Sequence, residues 1–187
     1  MPRLFTGLEV PDAATMELSL LRGGLSGARW IEPQDYHVTL RFIGDIGREL
    51  ANEIADGLDA VRAAPFEITL DHLAVFGADR PRSLIARAVD SAPLLALQAE
   101  HERLMRKLGA PGEARKFTPH VTLARLKGVS PAAVGAYIET RGDMRPLTFR
   151  VERFALYSSK DSTGGGPYRI EAAYPLEAGG RARGWAD

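Results

Sequence analysis

Residues 36–43 read YHVTLRFI and residues 119–126 read PHVTLARL. The tetrapeptide His37-Val38-Thr39-Leu40 thus recurs as His120-Val121-Thr122-Leu123, each time inside a β-rich run. An arginine follows each copy (Arg41, Arg125), and a glycine closes each run (Gly44, Gly128). Side chains alternate between the two faces of a strand. His37 and Thr39 therefore point one way and Val38 and Leu40 the other, and the second copy repeats this geometry. The aliphatic pair suits burial against helices, and the imidazole and hydroxyl suit a cleft. If the two strands lie side by side near a pseudo-twofold axis, one cleft holds two imidazoles and two hydroxyls.

Working outward, residues 3–10 read as a strand stopped by Pro11, and residues 12–22 have helical spacing with Asp12 as the cap. A short extended piece begins at Trp30. Leu50, Ile54, Leu58 and Val61 form one stripe of a helix over 48–62, ended by Pro65. Residues 66–76 and 83–89 alternate as strands around the turn-forming GADRPR. A second long helix is expected over 93–108, with Leu94, Leu97, Leu104, Met105 and Leu108 on one face. After the second motif come a short helix near 131–140 and strands near 147–158 and 167–176. The order β-α-β-α-β-β-α-β-α-β-β, with strand pairs joined by tight turns, predicts an α+β fold built on antiparallel sheet. Residues 1–177 are expected to form one domain, and 178–187, polar and rich in Gly and Arg, a flexible tail.

The chain has 187 residues and no net charge, so no global field draws in a polyanion. Any such ligand must be held by a local basic patch. With no cysteine, disulfides, thiolate catalysis and Cys-based zinc sites are excluded. No H-x-H or H-x-x-x-H spacing is present, so no metal or other cofactor is expected. No apolar stretch is long enough to span a bilayer, and the start, Met1-Pro2-Arg3-Leu4-Phe5, lacks a signal-peptide layout. A cytoplasmic monomer that binds no membrane is the expectation.

Two imidazoles and two hydroxyls around one gap suit cleavage of a cyclic phosphodiester. A neutral imidazole takes the proton of the attacking water, and an imidazolium gives one to the departing ribose oxygen. Their pKa values should be pushed apart. The threonines can hydrogen-bond non-bridging phosphate oxygens, and an arginine adds a charge-assisted contact. Phosphoryl transfer needs chiefly positioning and charge stabilisation, so no metal is required in principle.

Paired H-x-T-x motifs at this separation resemble the 2H phosphoesterase superfamily. More narrowly, the chain is similar to the RNA 2′,3′-cyclic phosphodiesterases, historically called 2′-5′ RNA ligases. The likeness covers nearly the whole chain, through RLFTGLEVP (3–11), HVTLRFIGDI (37–46), RKFTPHVTLAR (115–125) and FALYSS (154–159) followed by Gly166 and Tyr168. It implies a bilobal, pseudo-twofold α+β fold of two intertwined lobes, each an antiparallel sheet with flanking helices, and an active-site cleft between them. It implies His37 as proton donor, His120 as proton acceptor, and Thr39, Thr122 and Arg125 around the phosphate. The implied substrate is an RNA or oligonucleotide ending in a 2′,3′-cyclic phosphate, and the implied product a 2′-phosphomonoester. Lys116 stands where many relatives have proline, outside the motif. ATP-independent 2′-5′ ligation would use the same residues in reverse. A noncatalytic RNA- or nucleotide-binding module would need the cleft but not the acid–base pair.

Phe5, Arg115, Lys116 and Tyr157 are candidate RNA contacts, although Phe5, Phe42, Phe117 and Tyr157 all read more readily as core. His72 and His101 read as structural histidines, the first packed or at a sheet edge and the second on a helix stripe. Gly164-Gly165-Gly166 lacks the phosphate-loop pattern and reads as a hairpin loop.

Overall fold

The computed structural model describes residues 3–141, 144–159 and 166–177. The expected tail and Gly164-Gly165 lie outside those residues. The chain runs β1 (Arg3–Glu9), α1 (Asp12–Ser19), a short β2 (Ala28–Trp30), a 3-10 turn (Pro33–Asp35), β3 (His37–Asp45), α2 (Arg48–Leu58), β4 (Phe66–Phe76), β5 (Ser83–Ala88) and α3 (Ala92–Lys107). It continues through β6 (His120–Leu126), α4 (Pro131–Arg141), β7 (Leu147–Val151), β8 (Arg153–Ser159) and β9 (Tyr168–Pro175). The α+β expectation holds. Asp12 lies in the first turn of α1, where its charge suits the helix N-terminus, and Pro11 takes the cap position. α2 ends at Leu58 and not at 62, but Val61 stays buried in the turn that follows.

The strands join in the order β7-β4-β5-β6-β3-β1-β8-β9, with β2 added on β6. All the pairings are antiparallel. Two four-stranded halves meet where β3 pairs with β6 through Val38 and Val121. Both valines sit at 0% exposure, so the two copies of the motif form the seam of the sheet. The run 147–158, which reads as one strand, is two. β7 pairs with β4 at one edge and β8 pairs with β1 in the other half, so the chain crosses between halves at Glu152.

The helices cover the face that carries Val38, Leu40, Val121 and Leu123 and close one continuous core with them. α2 contributes Ile54 and Leu58, and α3 contributes Leu94, Leu97, His101 and Met105. Each fully buried aliphatic side chain here is worth roughly 1.5–3 kcal/mol of transfer free energy. α2 and α3 approach closely because residue 57 is glycine. A Cβ there would lie 2.8 Å from Leu104 Cδ1.

A bulge at Asp71 in β4 leaves that residue without a partner between Leu70↔Ala88 and His72↔Arg87. It turns His72 outward, where the ring is exposed and pairs with Asp71 at 2.6 Å. His72 is therefore not packed with Phe66, Ile68 and Leu70, as alternation alone implies.

His101 is structural and fully buried. Nδ1 shares a 2.8 Å hydrogen bond with Thr6 Oγ1 of β1, and the ring stands edge-on to Phe154 at 4.6 Å. Nε2 has no partner among the described residues. Burial lowers its pKa from 6.5 to about 3, because a charged ring there would be desolvated. Below pH 6.5 the unfolded chain takes up a proton that the folded chain refuses, so stability falls with pH until about 3. The variant His101→Gln should show a shallower loss of melting temperature across that window than the wild type, measured by scanning calorimetry.

Candidate active site

The face of the sheet opposite the helices lines a cleft of about 1020 Å³. His37 and Thr39 reach it from β3, and His120, Thr122 and Arg125 from β6. All five residues singled out for chemistry are therefore brought together. Extending the register from Val38↔Val121 sets His37 across from Thr122 and Thr39 across from His120. The histidines occupy one diagonal of that square, and diagonal neighbours on a flat ladder stand about 7 Å apart, a gap that admits a phosphate.

The two rings are held alike. His37 Nδ1–H donates to the carbonyl oxygen of Asp35 at 2.8 Å, and His120 Nδ1–H donates to that of Thr118 at 2.6 Å. A carbonyl only accepts, so each Nδ1 carries the hydrogen, and each neutral ring keeps its Nε2 lone pair. On the first ring Nε2 lies 3.1 Å from Thr39 Oγ1.

Their surroundings differ. His37 is walled by Phe5 at 4.8 Å and Tyr168 edge-on at 4.9 Å, with Tyr157 at 5.6 Å. Among the described residues His120 meets one ring, the edge of Phe76 at 4.8 Å. Burial is the first cause of a lowered pKa at both. His37 falls to about 4, opposed by the hydrogen bond to Asp35 and helped by His120 and Arg125. His120 is lowered too, with the Arg125 and Arg87 charges adding to burial and the Thr118 carbonyl opposing. Both rings are therefore neutral at pH 7 in the free protein.

The residues after each motif are exchanged by a bulge. Leu40 has no opposite residue between Thr6↔Arg41 and Gly7↔Thr39, and Leu123 has none between Leu84↔Ala124 and Ile85↔Thr122. Past the bulge the faces invert, so Phe42 and Arg125 open to the cleft while Arg41, at its border, and Ala124 are buried. Arg41 is 3% exposed. Its Nε donates to Glu102 at 2.5 Å, Nη2 to the carbonyl of Pro111 at 2.5 Å, and Nη1 to the carbonyl of Phe42. The two arginines that follow the motifs thus differ, one a buried brace and the other a cleft cation. Arg125 spends one donor on Ser83 Oγ at 2.8 Å, leaving others for an anion.

Among the candidate RNA contacts, Phe5 and Lys116 line the cleft. Arg115 lines it as well, but tied to Glu113 through two 3.0 Å bonds and set over the Phe42 ring at 5.9 Å. Tyr157 does not line it. It stacks behind Phe5 at 4.9 Å, buried. Phe42 is no core residue; at 41% exposure it is an aromatic surface of the cleft. Asp35 and Tyr168, both beside His37, escaped sequence reasoning as site residues. Only the spacing of Asp35, two before the motif histidine, marked it. No three His, Cys, Asp or Glu side chains converge as a metal site among the described residues.

Fused antiparallel halves with a His-x-Thr pair on each seam strand define the 2H phosphoesterase fold class. The model of the 2′-5′ RNA ligase superfamily matches residues 10–163, and the chain belongs to that superfamily. The chain is 35% identical over 133 residues to the RNA 2′,3′-cyclic phosphodiesterase of Aeropyrum pernix, covering 69% of this chain and 75% of the relative. It is 32% identical over 153 residues to that of Aquifex aeolicus, covering 79% and 81%. A solved structure from Thermus thermophilus matches with a TM-score of 0.76 at 26% identity, covering 93% of this chain and 97% of that one. Escherichia coli LigT, solved with 3′-AMP, shares the fold with a TM-score of 0.75 at 21% identity, covering 94% and 99%.

The two arginines should separate cleanly on substitution. Arg125→Ala should raise the titration midpoints of both His37 and His120, followed by proton NMR, because its charge lowers both. Arg41→Ala should leave those midpoints alone and destabilise the fold by roughly 2–3 kcal/mol in urea, since a buried ion pair is broken but Glu102 stays 22% exposed.

Proposed function

We propose that this chain hydrolyses the 2′,3′-cyclic phosphate ends of RNA or oligonucleotides to 2′-phosphomonoesters by two-histidine acid–base catalysis. The observation that carries the reading is the matched pair of rings whose Nδ1–H groups are fixed on backbone carbonyls, beside two threonines and Arg125 in one cleft. The relatives named as RNA 2′,3′-cyclic phosphodiesterases support the substrate class.

His120 Nε2 takes a proton from the water that attacks phosphorus, and His37 Nε2–H gives its proton to the departing 3′ oxygen. The P–O3′ bond breaks and the phosphate stays on O2′. Thr39 and Thr122 donate to the non-bridging oxygens, and Arg125 balances the charge that grows on them. Phe42, under Arg115, offers an apolar face to the terminal base.

Because burial keeps both imidazoles neutral in the free protein, the proton on the donor has to be secured by the phosphate itself. An anion held between the rings favours their charged forms and raises both pKa values. With both pKa values lowered, the free protein has given up its imidazolium protons before pH reaches the ordinary 6.5, whereas the complex keeps one longer. The pH optimum of kcat/KM should therefore lie on the acid side of the optimum of kcat. Coincident optima would remove this account of how the donor is charged.

The direct test is a short RNA with a 2′,3′-cyclic phosphate end, incubated with the protein in chelator. Turnover to the 2′-phosphomonoester is expected, and His37→Ala and His120→Ala should each lose about 10²–10⁴ in kcat. Full activity in either variant overturns the two-histidine mechanism. Faster ATP-independent 2′-5′ joining than hydrolysis on the same RNA would put the reverse reaction first.

A further inference from the structure

Asp35 meets the His37 side of the cleft with both its carbonyl and its carboxylate. It ends the 3-10 turn Pro33–Asp35, whose hydrogen bond from Asp35 N–H to the Glu32 carbonyl (2.8 Å) fixes its backbone. The carbonyl accepts from His37 Nδ1–H at 2.8 Å. The carboxylate, 8% exposed, turns the other way and accepts from the Tyr168 backbone N–H through Oδ1 at 3.0 Å. It also lies against the backbone of Gly166. A Cβ there would fall 2.0 Å from Asp35 Oδ2, and φ is +84°, so only glycine lets the chain pass this close. Where β9 starts, Tyr168 is thus gripped by a carboxylate 133 residues away in sequence. Its ring stands edge-on to His37 at 4.9 Å and to Phe5 at 5.1 Å.

Among the described residues the second motif has no such device. Thr118 supplies the carbonyl to His120, but its hydroxyl turns back to the Lys116 carbonyl at 3.5 Å. The two histidines are held alike from below, and only His37 is roofed by an anchored strand.

We propose that Asp35 is a positioning residue for the reaction: its carboxylate pins the start of β9 so that Tyr168 closes the aromatic wall against His37 while its carbonyl holds that ring. The proposal rests on the functional reading of the cleft but can be tested without it. Groups facing His37 are His120 and Arg125 from β6, Tyr157 from β8, Tyr168 from β9, Thr39 on its own strand and Asp35 itself. Glu102 of α3 engages Arg41, a buried residue at the border of the cleft, and His101 engages Thr6, which does not line it. Burial is the largest influence on His37 and no charge effect of Asp35 registers, so loosening the wall should outweigh losing the carboxylate charge.

The experiment titrates His37 and His120 by proton NMR in the wild type, Asp35→Asn, Asp35→Ala, Tyr168→Ala and the double variant, and measures kcat and KM on a cyclic-phosphate RNA. Asp35→Ala leaves the backbone carbonyl in place, so the ring keeps its tautomer. It should move the His37 midpoint up from about 4 towards 6.5 and leave His120 unmoved; although the donor is then charged more readily, the ring is no longer held in place, and kcat should fall roughly tenfold to a hundredfold with little change in KM. Asp35→Asn keeps an acceptor oxygen and should stay near the wild type. Tyr168→Ala should reproduce the shift, and the double variant should add nothing to it. A wild-type His37 midpoint in Asp35→Ala, equal impairment in Asp35→Asn, or additive effects in the double variant would each overturn the proposal. If the wild type itself hydrolyses no cyclic phosphate, the functional reading fails and the titrations still decide the role of Asp35. If Asp35→Ala does not fold, Tyr168→Ala carries the test, and an unmoved His37 there overturns it.

Discussion

Val38 opposite Val121 is the constraint on which the site depends. Side chains on a strand alternate with a period of two, so a slip of one residue at this seam would carry His37 and Thr39, or His120 and Thr122, to the helix-covered face. The seam is short, and its register is held from the sides. Leu8 of β1 pairs with Val38, and Ala86 of β5 pairs with Val121. All four side chains have no exposed surface, so a slip would drive polar groups into the core. The apolar face of the motif fixes where its polar face points.

A repeated peptide gives repeated geometry, and the departures come from the residues around it. The bulge after Thr-Leu is common to both copies, but it presents Phe42 on one side and Arg125 on the other because the following residues differ. The cleft is cationic beside His120 and aromatic beside His37. On the proposed reading the inequality suits acid–base chemistry, in which the two imidazoles take opposite roles.

Much of the fold is legible in the sequence because its signals are local. The stripe of Leu94, Leu97 and Met105, the alternation of 66–70 and the repeated tetrapeptide each act within one element. What escapes the sequence is non-local. Nothing in LTFRVERFALYSS says that the chain leaves one half of the sheet at Glu152 and enters the other, since the residues on both sides of it are equally at home in a strand. Strict alternation puts Arg41 beside His37 and Thr39 in the cleft and Arg125 behind the sheet. The bulges reverse both, and a bulge is decided by what the neighbouring strand can pair with. The same effect defeats the packed reading of His72. Asp35 is marked only by its spacing from His37, because its partner, the backbone N–H of Tyr168, has no signature in sequence.

The cancellation of charge in the whole chain has a counterpart inside the cleft. Arg41 is consumed by Glu102 and backbone carbonyls, Arg115 by Glu113, and Arg3 lies 3.8 Å from Asp45. Of the arginines around the site, Arg125 is the one whose described side-chain bond goes to a neutral hydroxyl. With both imidazoles neutral, the cleft of the free protein takes its positive charge from Arg125, Arg82 and Lys116, which line it without an acidic partner among the described residues, and burial opposes charging the rings. A phosphodiester entering this gap brings one negative charge, which offsets the desolvation of one imidazolium and not of two. On the proposed reading, binding and protonation are then a single coupled event. On that reading one ring is acid and the other base; burial behind the aromatic wall works against a charged His37 in the free protein, so the entering phosphate has to supply what favours the proton there.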